Sequence, residues 1–428
     1  MKRHRHFAVV GVAALSMAML MLGGCRRPQA SGRASLNDSE KIKIELLEDS
    51  ARAEDSDVVI DGRTVTITKG GHYELTGSLY EGQVIVDAGT ADVQLTLDRM
   101  GIDNSSDACF CFKNAGSVTI VAGKGSRNVF HAKGKKGEPA CIYSKCDLYI
   151  SGKGTLSLDA DDGNGIDAKD SLEISGNPKL ELYAKKDAIR ANDALTIRKG
   201  DYQIRSGKDA IHCDEGDIRI EGGRFELEAG DDAIHAERDV LIQDGRIVVT
   251  GSKEGIEGAD VEIAGGTVSV TSEDDGINAS GEKGSLAELK ITGGSVEVDA
   301  GGDGVDANGA FLVSGGTTLL SGSADNENGA IDYDTEAVIT GGAVVAAGFP
   351  EEAKGFEKDS PQSSWSVNLS KKHHEKIVLL DESGEQLITY KPPKEYRSVV
   401  VSVPEMKPGR TYTLKTGKSC VILEKGLR

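Results

Sequence analysis

The sequence predicts an all-β protein: a single-stranded parallel β-helix, right-handed by analogy with known coils of this kind, with a small β cap at its C-terminus. Three observations predict it. First, a short motif (acidic, tiny, branched apolar, polar, usually tiny) recurs with its branched residue at Ile142, Ile166, Ile189, Ile211, Ile234, Ile256, Ile277, Val305 and Ile331, in steps of 21–28 residues. Second, period-two alternation on either side of a turn follows the motif, as in "LEISGNPKLELYA" and "VEIAGGTVSVTSE", which marks strands with one face in and one face out. Third, 54 glycines stand against 9 prolines, and aromatic residues make up 4% of the chain. That suits short strands and tight turns, because each glycine inside a helix costs about 1 kcal/mol. A repeat of this length, with three short strands and no helical segment, makes one turn of a coil on which the next turn stacks. The leucine and asparagine consensus of a leucine-rich repeat is absent, and a propeller blade needs roughly 40 residues.

The segments follow in order. Lys2, Arg3 and Arg5 precede an apolar run from Phe7 to Leu22, and "LGGC" ends at Cys25. The run is short for a membrane span of about 20 residues. Residues 1–24 therefore read as a lipoprotein signal peptide, with Cys25 as the lipidation site. The expected location is the bacterial cell surface or envelope, with membrane contact through the lipid alone. Residues 25–40 read as a tether. Residues 41–348 form the coil, and "KIKIELLEDS" at its start is expected to cover the open end against edge pairing. Past "GGAVVAAG" the pattern stops, and residues 349–428 read as a cap of β-hairpins. Cys109, Cys111, Cys141 and Cys146 fall in neighbouring segments, where export permits bridges; buried thiols are the equal alternative. No cysteine set has zinc-site spacing.

A formal net charge of −19 argues against nucleic acid and anionic lipid as partners, and favours cations or neutral ligands. A monomer is expected. In a coil, equivalent side chains stack about 4.8 Å apart. Asn164, Asp187, Asp209, Asp232, Glu254, Asp275 and Asp303 stand two positions before the branched residue, and Asp167, Arg190, His212, His235, Glu257, Asn278, Asp306 and Asp332 stand one after it. Two carboxylates at that spacing repel by about 3–4 kcal/mol at an effective dielectric of 20. Solvent, protein cations or a bound metal must offset this. Lys186, Lys208 and Lys253 precede three of the acids, and Arg190 lies close by, so the middle turns read as a salt-bridged face. The stretch "DADDGNGIDAKD" offers Asp159, Asp161, Asp162, Asn164 and Asp167, and "EDDGIN…DAGGDGVDAN" offers Asp274, Asp275, Asn278, Asp299, Asp303 and Asp306, with no basic residue standing among those side chains. Hard oxygen donors in glycine-rich turns are what Ca2+ selects. The candidate metal ligands are Asp162, Asn164, Asp167, Asp187, Asp275, Asn278, Asp303 and Asp306, with ion-free Asp–Gly turns as the alternative.

These residues also carry a resemblance. "ACIYSKCDLYISGKGTLSL" followed by repeated "DGI" turns, "VTITKGGHYELTGSLYEGQVIVDA" upstream and "RSVVVSVPEMKPGRTYTLKTG" near the end resemble the bacterial carbohydrate-binding family built on a pectate-lyase-like β-helix. The resemblance covers most of residues 42–418. It implies an extracellular right-handed β-helix that binds plant-type polysaccharide such as cellulose or polygalacturonate. It also implies calcium in Asp-rich turns, here best matched by those of Asp162, Asp167, Asp275, Asp303 and Asp306. The chain departs from the family in three middle turns, where "DA" replaces "DG" and histidine or arginine follows the isoleucine, and in its extra cysteines.

The expected function is polysaccharide binding, with Lys186, Arg190, Lys208, His212 and His235 as candidate substrate-binding residues. The histidine pair reads as a surface ladder before a transition-metal site. Tyr143, Tyr183 and Tyr202 are candidate sugar platforms, Trp365 being the only tryptophan. Two alternatives stand beside this. A calcium-dependent polysaccharide lyase would draw its base from Lys186, Arg190 or Lys208. A structural surface protein or adhesin would bind no glycan.

Overall fold

The computed structural model describes residues 41–133, 140–281, 286–324, 328–350 and 354–424. The signal, tether and Cys25 readings fall outside these residues. Every regular element described is a strand. One repeat shows how the sequence builds a turn of coil. Leu172–Ile174, Lys179–Ala184 and Ile189–Ala191 are three strands at angles to one another. Each pairs in parallel with its counterpart one repeat on: Leu172 with Leu195, Leu180 with Tyr202, Ile189 with Ile211. These three stacks are called faces I, II and III here. Face III is a sheet of 12 strands, and faces I and II run together as a sheet of 26.

The alternation in the sequence becomes the inside and outside of this coil. In Lys179–Ala184, Leu180, Leu182 and Ala184 are buried while Tyr183 is exposed. Ile166, Ile189, Ile211, Ile234, Ile256, Ile277 and Val305 form one continuous column in the interior, each fully buried. Neighbouring turns also stack like residues in the core: the rings of Tyr202 and Phe225 lie 4.5 Å apart and 4° from parallel. Glycines sit where turns touch. At Gly152, with φ +106°, a Cβ would lie 2.1 Å from the Ala122 carbonyl oxygen, so only glycine fits the bend between faces I and II.

Both ends of the coil are covered. Lys41–Glu48 pairs in parallel with Gly71–Tyr80 and antiparallel with Ala51–Ala53, so "KIKIELLE" becomes the first strand of the stack. At the other end Ala343–Gly348 is covered by the antiparallel strand Tyr396–Ser402, which also pairs with Trp365–His373. A four-stranded antiparallel sheet follows, in the order Gln386–Tyr390, Ile377–Leu380, Tyr412–Thr416, Ser419–Leu423. This cap has its own core, including Trp365, Leu379, Tyr396 and Tyr412. None of the described cysteines is joined in a disulfide; all are buried except Cys420, and Cys141 and Cys109 lie Sγ to Sγ at 3.7 Å.

Candidate functional site

Two polar columns run side by side along the corner where face II turns into face III. The strand register sets the outer one: Asp167 stands beside Arg190, Arg190 beside His212, His212 beside His235, His235 beside Glu257, Glu257 beside Asn278 and Asn278 beside Asp306. The other holds Asn164, Asp187, Asp209, Asp232, Glu254, Asp275 and Asp303. Its members have a structural duty. One side-chain oxygen accepts the backbone N–H of the equivalent residue a turn further on: Asn164 from Asp187 at 3.2 Å, Asp209 from Asp232 at 3.0 Å, Asp275 from Asp303 at 2.7 Å, and Asp303 from Gly329. Each bond satisfies a donor that the tight corner leaves outside the strand ladders. The motif needs an acceptor at this position for that reason, and the second carboxylate oxygen remains for other partners.

In the first and middle turns, the protein's own cations take up those partners. Asp167 is buried and pairs with Lys169 at 2.8 Å, while the Asn164 amide donates to its other oxygen at 3.3 Å. Arg190 donates two hydrogen bonds to Asp214, at 2.8 and 2.7 Å, and reaches Asp187 at 3.4 Å. His212 Nδ1 lies 2.6 Å from Asp209 and its Nε2 3.0 Å from Asp214. His235 Nδ1 lies 3.2 Å from Asp232 and 3.8 Å from Asp209, with Glu257 3.9 Å from its Nε2. Burial opposes charge on Asp209, but hydrogen bonds from His212 and His235 outweigh it and hold the carboxyl well below the usual range. Burial likewise opposes charge on His235, and Asp209 and Asp232 overcome it, raising the imidazole to about 10. The middle turns therefore form a self-compensated ion-pair ladder.

Further along, that compensation ends. Asp275, Asp303 and Asp306 present carboxylate oxygens within 4.8 Å of one another. Among the described residues, no lysine, arginine or histidine forms an ion pair with any of the three; Lys354 is held by Asp332, and Lys253 by Asp231. Burial pushes Asp275 and Asp306 up to about 6 and Asp303 to about 7, with repulsion from neighbouring acids adding to it, chiefly Asp332 and Asp334 at Asp306. Glu254 and Glu257 are raised as well, chiefly by burial. The Asn278 amide donates to Glu254 at 3.1 Å, and its Oδ1 is shielded from water with no hydrogen-bond partner. Three carboxylates and an orphaned amide oxygen form an all-oxygen donor set, which fits a hard divalent cation such as Ca2+. Two oxygens of this set are committed to backbone N–H groups, which leaves the carboxylates fixed in place.

The sequence-derived residues thus divide. The structure brings Asp275, Asn278, Asp303 and Asp306 to one stretch of the corner. It places Asn164, Asp167 and Asp187 in the same columns but gives Asp167 and Asp187 to Lys169 and Arg190. Asp162 is exposed and belongs to no such group. Lys186 and Lys208 are exposed in the turns leading to Asp187 and Asp209. Three to four turns separate these lysines and Arg190 from the Asp275 group, about 14–19 Å at 4.8 Å per turn. Of the candidate platforms, Tyr143 and Tyr202 are buried and Tyr183 is 48% exposed. Reading the repeat motif alone missed His131, whose two nitrogens lie 3.0 Å from Asp103 and 3.1 Å from Asp161. It sits one turn before the first regular motif, so the spacing gave no signal for it.

Comparison with known proteins adds a family assignment. The family model described as carbohydrate-binding domain-containing protein matches residues 61–252 and 239–349. A carbohydrate-binding domain-containing protein of Acetivibrio thermocellus is 32% identical over 171 residues, covering 38% of this chain and 59% of that protein. The chain thus spans about 59% of the length of the curated relative it matches. A solved structure of a polysaccharide lyase-like protein from C. thermocellum, as a gadolinium derivative, is 27% identical, with a TM-score of 0.48, covering 60% of this chain and 99% of that one.

Proposed function

Taking as premise that this chain belongs to the carbohydrate-binding domain-containing protein family, we propose that it is a non-catalytic polysaccharide-binding protein of the bacterial envelope, anchored by lipid at Cys25. Its corner ladder engages an acidic glycan such as polygalacturonate. One observation carries the reading: Asp275, Asp303 and Asp306 converge with no cation among the described residues paired to them, on a corner whose turns from Asp167 to His235 are neutralised from within. Asp275, Asn278, Asp303 and Asp306 would hold Ca2+, which supplies the positive charge that a uronate carboxylate needs on so acidic a protein. Lys186, Lys208 and the uncommitted N–H groups of Arg190 and His235 provide hydrogen-bond donors further along the same corner, where His212 holds Asp209 and Asp214 in place. The chain acts as a monomer, with the cap closing one end of the stack.

The distances speak against a lyase. Proton abstraction beside a calcium-bound uronate needs a base within hydrogen-bond reach, about 3 Å, of the reacting carbon's proton. Lys186, Arg190 and Lys208 stand about 14–19 Å away along the corner. Incubation with polygalacturonate and Ca2+ tests both parts. The proposal expects calcium-dependent retention of the protein on the polymer and no rise in absorbance from unsaturated product. Turnover that disappears in Lys208→Ala would reverse the assignment, and absence of retention at any calcium concentration would remove the glycan proposed for this corner.

A further inference from the structure

Face II carries a second feature, several turns away from the Asp275 group. Seven large hydrophobic side chains are exposed among the described residues, and four of them, Leu47, Tyr80, Val129 and Tyr183, lie on two adjacent outward columns of this face. The register places Tyr80 beside Asp103, Asp103 beside His131, His131 beside Asp159 and Asp159 beside Tyr183. The neighbouring column runs Leu47, Ser78, Gly101, Val129, Ser157. Tyr80 and Tyr183 are 53% and 48% exposed. Four strand steps separate them, about 19 Å. Between the rungs of the two rings the second column carries Ser78, Gly101, Val129 and Ser157, so Val129 adds an apolar contact between two small residues and the rings stand at the ends of a track. Polar groups fill the space between them: Asp103, His131 and Asp159, with Asp161 bonded to His131 at 3.1 Å.

We propose that this track is a binding strip for an extended neutral polysaccharide, with Tyr80 and Tyr183 as stacking platforms and Asp103, His131 and Asp159 as hydrogen-bonding groups for the hydroxyls between them. The inference rests on the reading of the protein as polysaccharide-binding and adds a second, calcium-independent glycan surface to it. Its reach of about 19 Å fits several sugar units and not a single ring, and the regular 4.8 Å rungs offer a repeating chain equivalent contacts. Charge selects the occupant. Asp103, Asp159 and Asp161 outnumber His131 here, so an anionic glycan is repelled. A second copy docked on this face by a two-fold axis would bring its own Asp103 and Asp159 against these. The family model's match over residues 61–252 includes the strip from Tyr80 to Tyr183. A neutral sugar chain has the required chemistry: apolar ring faces for the tyrosines and hydroxyls for the carboxylates.

The test is gel-retardation of the full chain in hydroxyethylcellulose and in polygalacturonate, both with chelator, alongside its mass by light scattering. Retardation by hydroxyethylcellulose is expected. Tyr80→Ala and Tyr183→Ala each weaken it by roughly 2–10-fold, as loss of a ring contact does, and the double variant weakens it by about the product. Tyr80→Phe and Tyr183→Phe retain the ring and the affinity, which separates stacking from misfolding. Wild-type retardation that the double alanine variant matches overturns the strip and leaves the polysaccharide-binding reading intact. Retention on polygalacturonate alone does the same. No retardation by either polymer, and no calcium-dependent retention in the preceding assay, removes both. A wild-type dimer that the double alanine variant dissociates makes the face a self-interface and also overturns the strip.

Discussion

Replacing Asp303 by asparagine tests the charge account of the corner with opposite signs under different conditions. Asp303 is 7% exposed and its carboxyl is held at about 7. An ordinary aspartate titrates near 3.9, so the gap of about 3 pH units is worth roughly 4 kcal/mol at about 1.4 kcal/mol per unit. The folded-state value lies above the unfolded one. The stability this carboxyl contributes is therefore fully present below about pH 4 and lost as the pH rises through about 7. Asp303→Asn removes the charge and keeps an oxygen for the Gly329 N–H. In thermal or urea melts with chelator at pH 8, the variant is expected to be more stable than wild type by up to about 4 kcal/mol. At pH 4, where Asp303 is protonated in the fold and about half protonated in the unfolded chain, the two should agree within about 1 kcal/mol. Millimolar calcium should then raise the wild-type melting temperature and leave the variant nearly unmoved, since a ligand that binds only the folded state stabilises by about 2.7 kcal/mol at 100 times its Kd. A variant less stable than wild type in chelator at pH 8, by the same margin as at pH 4, would refute the reasoning.

Other outcomes follow from the same geometry. His235→Ala strips Asp209 and Asp232 of a cation and should cost about 3–5 kcal/mol in denaturant unfolding; an unchanged midpoint would mean the middle ladder is not held by its ion pairs. The His235 imidazole, raised to about 10, should still be protonated at pH 8 by NMR, its stabilising contribution full below about pH 6.5 and lost progressively as the pH rises from there to about 10; neutral-imidazole shifts at pH 8 would contradict the ladder. Gly152→Ala drives a Cβ into the Ala122 carbonyl at a positive φ and should cost at least 1–3 kcal/mol by order of magnitude. Phe225→Ala opens a cavity beside the stacked Tyr202 ring and should cost about 3–5 kcal/mol.

What was legible in the sequence was whatever repeats. The branched residues fixed the turn length, and strict alternation marked the two sides of each strand. The acids two positions earlier could be aligned because every corner needs the same acceptor. What could not be read came from outside the period. Lys169 reaches Asp167 from two residues on, at a position that the later repeats fill with other residues. Lys394 pairs with Asp299 at 2.8 Å from the C-terminal cap, too far along the chain for any local pattern. His131 belongs to a turn before the motif becomes regular. Tyr143 lies on the outward side of its strand, yet is buried because Ala108, Cys111 and Ala140 pack around it. Of the two acidic stretches, the first carries Lys169 beside Asp167 and receives His131 at Asp161 from the neighbouring turn, while Asp275, Asp303 and Asp306 pair with no cation among the described residues.

The most direct measurement is an anomalous difference map from a crystal soaked in calcium. A peak bonded at about 2.3–2.6 Å to oxygens of Asp275, Asp303 and Asp306, with no peak at Asp209 and His212, is the result this account requires. Ordered crystals with no density among those three carboxylates, or with the ion instead at the histidine turns, would contradict it.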